Sequence, residues 1–134
     1  MKNKFYVISD EIYEKLIYGG KEHVSIASLG KDIYDLTLTV NGVSKSYSMT
    51  GWRIGYAAGP LDVMTAIGDL QSHAASNPSS ISQRAALEAM TKDQSCLDKM
   101  RQEFGTRRDL MVSLVNSIDK MKCVNPDGAF YVFC

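Results

Sequence analysis

A lysine and an arginine lie eight residues apart in the segment NGVSKSYSMTGWRIGY, which covers positions 41–56. Lys45 stands between two serines, and Arg53 begins an apolar segment with strand-like composition. A lysine amine that is held in place and partly deprotonated is a good nucleophile toward an aldehyde. An arginine guanidinium offers a planar set of donors that matches phosphate oxygens. The two residue types together indicate a small ligand that carries both an aldehyde and a phosphate.

Pyridoxal phosphate is such a ligand, and it needs one further protein group. A carboxylate must face the pyridine nitrogen and keep it protonated, so that the ring can accept electrons. Asp10 is a candidate because it follows a predicted strand, and open α/β sheets bind ligands at the carboxyl ends of their strands. Tyr13 could bring its hydroxyl to the ring oxygen and favour negative charge there. Simpler interpretations stay open: a solvated lysine, an ion-paired arginine, and an aspartate that caps a helix.

The elements that must position these residues can be predicted from hydrophobic periodicity. Asn41-Gly42 stands between two alternating segments, and taken alone this dipeptide predicts a tight hairpin that folds 37–40 back on 43–49. Pro60 predicts the start of a helix. The remaining periodicity predicts strands at 4–9, 33–40 and 52–59, helices at 60–75, 80–92 and 94–119, and a final strand at 129–134.

Composition excludes several classes of function. The 134 residues contain 15 Lys plus Arg and 15 Asp plus Glu, so no basic excess favours a nucleic-acid partner. No apolar segment is long enough to predict a membrane span or a signal peptide. The three cysteines form no CxxC pair, which indicates reduced thiols in a cytoplasmic protein. His23 and His73 have no second ligand at metal spacing, so no metal site is predicted.

Two segments resemble a known family. SDEIYEKLIY at 9–18 and NGVSKSYSMTGWRIGYAAGP at 41–60 are similar to the fold-type I pyridoxal-phosphate aminotransferases, in the aspartate aminotransferase branch. The resemblance implies that Lys45 attaches to pyridoxal 5'-phosphate and moves the substrate α-proton. It also implies that Asp10 pairs with the pyridine nitrogen, Tyr13 bonds the ring oxygen and Arg53 holds the phosphate.

One position departs from the family pattern. Many relatives carry a hydroxyl residue three positions before the lysine, where this chain has Gly42. Ser44 or backbone amides would then hold the phosphate in its place. The resemblance also implies that Asn41-Gly42 lies at the end of a strand, in contrast to the hairpin that the residues alone predict.

The implied architecture is α/β. About three strands of the large-domain sheet, with their helices, would occupy 1–93, and 94–134 would hold the long inter-domain helix and the start of the small domain. Family members are nearly three times longer, so we expect a C-terminal-half fragment that forms a homo-oligomer or joins a complementary fragment. The parent enzyme would exchange an amino group between an aspartate-like amino acid and a 2-oxo acid. A related lyase, or a non-catalytic remnant or interaction module, is the alternative.

Overall fold

A three-stranded mixed sheet forms the centre of the structure, a computed structural model that describes residues 5–134. The strands are β1 (Val7–Asp10), β2 (Thr37–Gly42) and β3 (Gly55–Ala58), in the order β1-β2-β3. The α/β class and the number of strands are therefore confirmed. The first strand begins later than the predicted residue 4, and Lys4 itself lies outside the described residues.

The register of the sheet decides which chain ends meet. β1 and β2 are parallel, and their pairing runs from Val7 with Thr37 to Asp10 with Val40. β3 is antiparallel to β2, and Gly55 at its start pairs with Gly42 at the end of β2. Consequently the carboxyl ends of β1 and β2 and the amino end of β3 lie along the same border of the sheet.

The predicted Asn-Gly hairpin is wrong. Asn41 and Gly42 are the last two residues of β2 and pair with Tyr56 and Gly55. The chain between the two strands, residues 43–54, is too long for a tight turn and folds into short helical turns instead. The position at the strand's end that the family resemblance implies is confirmed.

Residues 5–134 contain five α-helical segments. Pro60 immediately precedes α3, and its carbonyl accepts the Met64 amide hydrogen bond at 2.9 Å, so the predicted start is confirmed. The helices are α1 (Lys31–Tyr34), α2 (Val43–Ser46), α3 (Leu61–Ala75), α4 (Ser80–Thr91) and α5 (Ser95–Asn116), with 3-10 turns at Ile26–Leu29 and Thr50–Trp52.

The strand predicted at 129–134 does not form within the described residues. An isolated antiparallel bridge joins Gly128 to Ile17, and the Ala129 amide donates to the Leu16 carbonyl at 2.8 Å. A strand is defined by a continued ladder with a neighbour, and beyond these contacts the ladder does not continue. The β-prone composition of AFYVFC was therefore insufficient to predict its conformation.

The chain divides into two compact units. The first contains the described residues up to Ile12 and Val24–Lys92, and the second contains Tyr13–His23 and Asp93–Cys134. In the first unit, Val43, Ile54 and Ala86 form a buried cluster. In the second, the buried Tyr18 hydroxyl donates to the Ala129 carbonyl at 2.6 Å and its ring lies 4.6 Å from the Arg108 guanidinium carbon.

Candidate functional site

The turn that carries Lys45 is anchored on one side. Val43 is fully buried and Ser46 is 3% exposed, whereas Ser44 and Lys45 are half-buried. Residues three apart in a helical turn lie on the same side, so burial of Val43 and Ser46 leaves Ser44 and Lys45 on the other. The buried cluster with Ile54 therefore fixes the turn, and Lys45 itself stays half-buried.

Gly42 is required by the close approach of the chain that precedes β3. A Cβ built at Gly42 would lie 2.8 Å from the Ile54 carbonyl oxygen and 3.1 Å from Gly55 Cα. The same Ile54 oxygen accepts the Val43 amide hydrogen bond at 3.3 Å, which fixes it in place. A serine or threonine three positions before the lysine would therefore force the chain before β3 to shift, which accounts for the glycine at this position.

Arg53 has an unusual backbone conformation. Its φ of 55° and ψ of 47° are left-handed, a region that costs a non-glycine residue on the order of 1–2 kcal/mol. Its guanidinium donates to the Thr50 carbonyl at 2.9 Å, within the turn that leads into β3. The side chain is exposed, so its positive charge is presented at the amino end of β3.

Asp10 ends β1, as predicted. Its carboxylate accepts a hydrogen bond from the Ile12 amide at 3.1 Å, which is the geometry of an Asx turn. The side chain is exposed. The residue therefore terminates its strand and presents a carboxylate beside the end of β2.

Glu11 is a functional-site neighbour that sequence reasoning missed. The residue is 5% exposed, and its carboxylate accepts hydrogen bonds from the hydroxyls of Ser9 at 3.1 Å and Ser25 at 2.7 Å. Its amide donates to the Val40 carbonyl at 2.8 Å. These bonds fix the end of β1 to β2 and to the loop at Ser25. The sequence shows only that Ser9 and Glu11 are two residues apart, and Glu11 lies one residue beyond the end of β1, where strand alternation no longer applies.

Tyr13 is assigned to the second compact unit. Its hydroxyl lies 2.6 Å from the Tyr131 hydroxyl, and its ring makes edge contacts with the rings of Phe130 and Tyr131. Asp10, Ser44, Lys45 and Arg53 belong to the first unit, so the five predicted site residues divide between the two.

The sheet topology brings four of the predicted residues to one border. Asp10 ends β1, Ser44 and Lys45 follow the end of β2, and Arg53 precedes the start of β3. This set supplies a carboxylate, a hydroxyl, an amine and a guanidinium. The carboxylate suits a protonated ring nitrogen, and the amine suits an aldehyde. The hydroxyl and the guanidinium both suit a phosphate, so the residues fit pyridoxal phosphate.

Residues 5–134 contain neither a candidate metal-binding cluster nor a candidate membrane-spanning helix. No group of three or more His, Cys, Asp or Glu side chains in this range could hold a metal ion. No helix of the described part of the chain is both long enough and apolar enough to cross a membrane.

Lys45 follows the end of β2 and Arg53 precedes the start of β3 at one border of the mixed sheet, an arrangement that suits a cofactor with an aldehyde and a phosphate. The profile of the family "Aminotransferase class I and II" matches residues 1–134, and the chain belongs to this family. The family implies a pyridoxal 5'-phosphate cofactor.

Individual relatives with similar sequences and structures are also aminotransferases. An aspartate aminotransferase from Geobacillus stearothermophilus is 53% identical over 127 residues, which cover 95% of this chain and 32% of the relative. The crystal structure of the aspartate aminotransferase from Rhizobium meliloti superposes with a TM-score of 0.91 at 46% identity, over 95% of this chain and 32% of that one. The Thermus thermophilus aspartate aminotransferase with maleate gives a TM-score of 0.86 at 44% identity, over 96% and 33%. The chain therefore corresponds to an aminotransferase segment and spans about a third of the length of these relatives.

Proposed function

We propose that this chain supplies the lysine-bearing part of an aminotransferase site that exchanges an amino group between an aspartate-like amino acid and a 2-oxo acid. The observation that carries the proposal is the convergence of Asp10, Lys45 and Arg53 on one border of the sheet. The aspartate aminotransferase relatives support the substrate class. The maleate in the Thermus thermophilus structure supports it too, because maleate is a four-carbon dicarboxylate, as aspartate is.

Lys45 has the catalytic role in this proposal. When bound, pyridoxal 5'-phosphate supplies an aldehyde that takes up amino groups and a ring that withdraws electrons from the substrate α-carbon. The Lys45 amine would hold the cofactor through that aldehyde in the absence of substrate, and would accept and return the substrate α-proton in its presence. Its turn is anchored by buried Val43 and Ser46, which would hold the half-buried lysine in position.

The other predicted residues would hold and polarise the cofactor. Asp10 would keep the pyridine nitrogen protonated, and Tyr13 would donate to the ring oxygen. Arg53 and Ser44 would bind the phosphate, with the backbone amides at the start of α2 completing the cradle. The close contacts at Gly42 support Ser44 as the hydroxyl donor, because a side chain at position 42 would displace the chain before β3.

We also propose that the chain acts within a larger assembly. The residues 1–93 would be part of a cofactor-binding large domain, and 94–134 the long inter-domain helix and the start of a small domain. Large apolar side chains on β1 and α3 are exposed to an unusual extent, with Ile8 at 73% and Leu61 at 83%. A homo-oligomer or a complementary fragment would cover such side chains. Light scattering that shows a monodisperse monomer would contradict this part of the proposal.

The activity is tested by a single-turnover assay on the cofactor-loaded chain. Addition of aspartate should release up to one equivalent of the corresponding 2-oxo acid, and Lys45→Ala should release none, because the variant lacks the amine that moves the α-proton. Cofactor attachment without 2-oxo acid release would favour the non-catalytic remnant or interaction module. Loss of the substrate β-carboxylate or elimination products, in place of amino-group transfer, would favour the lyase.

A further inference from the structure

We infer that Tyr131 is a positioning residue for Tyr13, whose hydroxyl receives a hydrogen bond from Tyr131 and is thereby oriented to donate its own proton. The two hydroxyl oxygens are 2.6 Å apart, which is a short O–H···O distance. The residues are separated by 118 positions in the chain, and both lie in the second compact unit. The inference rests on the proposed function, in which Tyr13 donates to the ring oxygen of the cofactor.

The rings of both tyrosines are held by aromatic packing. The Tyr13 ring meets the Tyr131 ring edge-on, with centroids 5.7 Å apart and an interplanar angle of 78°. It also contacts Phe130 edge-on at 5.3 Å, and Phe130 stacks on Phe104 of α5 at 5.5 Å. Such contacts favour defined ring orientations. Removing the Tyr131 hydroxyl by substitution with phenylalanine should therefore leave the rings in place.

The direction of the hydrogen bond between Tyr13 and Tyr131 follows from the single hydroxyl proton that each phenol carries. A phenol carries one O–H donor, so a Tyr13 that gives its proton to the cofactor ring oxygen has none left for Tyr131. Tyr131 must then be the donor of the pair, and Tyr13 the acceptor. A hydroxyl that accepts a hydrogen bond becomes a stronger donor, because linked hydrogen bonds polarise one another. Tyr131 thus acts on the cofactor through Tyr13 and without touching it.

The hydrogen bond itself is tested without cofactor. Urea unfolding midpoints are measured for the full chain, Tyr131→Phe, Tyr13→Phe and the double variant. Tyr131→Phe should lower the midpoint when Tyr13 is present and have a clearly smaller effect in the Tyr13→Phe background. Tyr34→Phe, which alters an exposed tyrosine of the first unit, should have equal effects in both backgrounds. Additive effects of the two site variants would overturn the inference.

The consequence for the cofactor is tested by titrating the absorbance of bound pyridoxal 5'-phosphate with pH. The Tyr131→Phe variant should move the absorbance transition to higher pH by roughly 0.1–0.7 units, since the ring oxygen loses part of its support. In the Tyr13→Phe background the same substitution should have no effect. A transition pH that is unchanged or lower would overturn the inference. If Tyr131 accepted the hydrogen bond, its removal would free the Tyr13 proton for the cofactor ring oxygen and would lower the transition pH. Absence of Lys45-dependent uptake in the wild-type chain would instead count against the proposed function, while the urea cycle still decides on the hydrogen bond.

Discussion

Replacement of Gly42 by alanine tests how closely the chain before β3 must approach the lysine-bearing turn. The φ of Gly42 is 177°, which any residue can adopt, so the effect of the added methyl group is steric. That methyl carbon would lie 2.8 Å from the Ile54 oxygen and 3.1 Å from Gly55 Cα. Both neighbours are backbone atoms, and neither can turn aside as a flexible side chain does.

The magnitude can be estimated from these contacts. Overpacking of this kind costs about 1–3 kcal/mol. The shift must also weaken the hydrogen bond from the Val43 amide to Ile54, now 3.3 Å long, which adds about 1 kcal/mol. Reduced flexibility of the unfolded chain returns about 0.4–1 kcal/mol. We therefore expect Gly42→Ala to lower the free energy of unfolding by roughly 1–3.5 kcal/mol, which corresponds to a urea midpoint lowered by about 1 M.

Gly51→Ala is the matched control. Gly51 lies in the same connection between β2 and β3, and a Cβ there would have no heavy atom within 4 Å. Its substitution should leave the urea midpoint unchanged or raise it slightly. A Gly42→Ala variant as stable as the Gly51→Ala variant would refute the reasoning that Ile54 closes this position.

Three further predictions concern separate residues. Arg53→Ala should weaken pyridoxal 5'-phosphate binding by about 1.5–3 kcal/mol, or roughly 10- to 150-fold, as measured by equilibrium dialysis. Arg107→Ala on the exposed surface of α5 is the control and should leave the affinity unchanged. Equal affinities of the two variants would remove Arg53 from the site. A Cβ at Gly68 in α3 would have no heavy atom within 4 Å. Gly68→Ala should therefore raise the free energy of unfolding by up to about 1 kcal/mol in urea titrations. A loss of stability would contradict the open surface at this position. Hydrogen bonds from the Ser95 hydroxyl and amide lower the pKa of Asp93 below 3.8. The ionised Asp93 carboxylate therefore stabilises the fold above pH 3.8, and this stabilisation is lost as the pH falls through the lowered pKa. Asp93→Asn should flatten the acid limb of a curve of stability against pH, and an unchanged limb would disprove the assignment.

Much of the fold could be predicted because local rules and tertiary packing agree in it. Pro60 fixes the start of α3, and α4 and α5 lie where apolar periodicity predicts them. Asn41-Gly42 is the informative exception. The dipeptide favours a tight turn only while no competing partner exists, and here the pairing of Gly42 with Gly55 extends β2 through it.

The candidate site can be proposed from residue types, but its geometry cannot be predicted from them. The chemistry of Lys45, Arg53 and Asp10 and their positions next to predicted strands make them candidates, and the structure places all three at one border of the sheet. The buried Glu11 carboxylate accepts a hydrogen bond from the Ser25 hydroxyl, 14 residues away. The lack of space for a side chain at Gly42 results from the Ile54 carbonyl oxygen. The contact between Tyr13 and Tyr131 spans 118 residues. Such long-range contacts follow from tertiary structure and have no local signature in the sequence.

The central claim is that Lys45 is the residue that binds the cofactor. The measurement that tests it most directly is reduction of a mixture of the chain and one equivalent of pyridoxal 5'-phosphate with borohydride, followed by mapping of the modified peptide by mass spectrometry. The account predicts selective labelling of Lys45, with no selective label in Lys45→Ala. Labelling spread evenly over the lysines of the wild-type chain would contradict it.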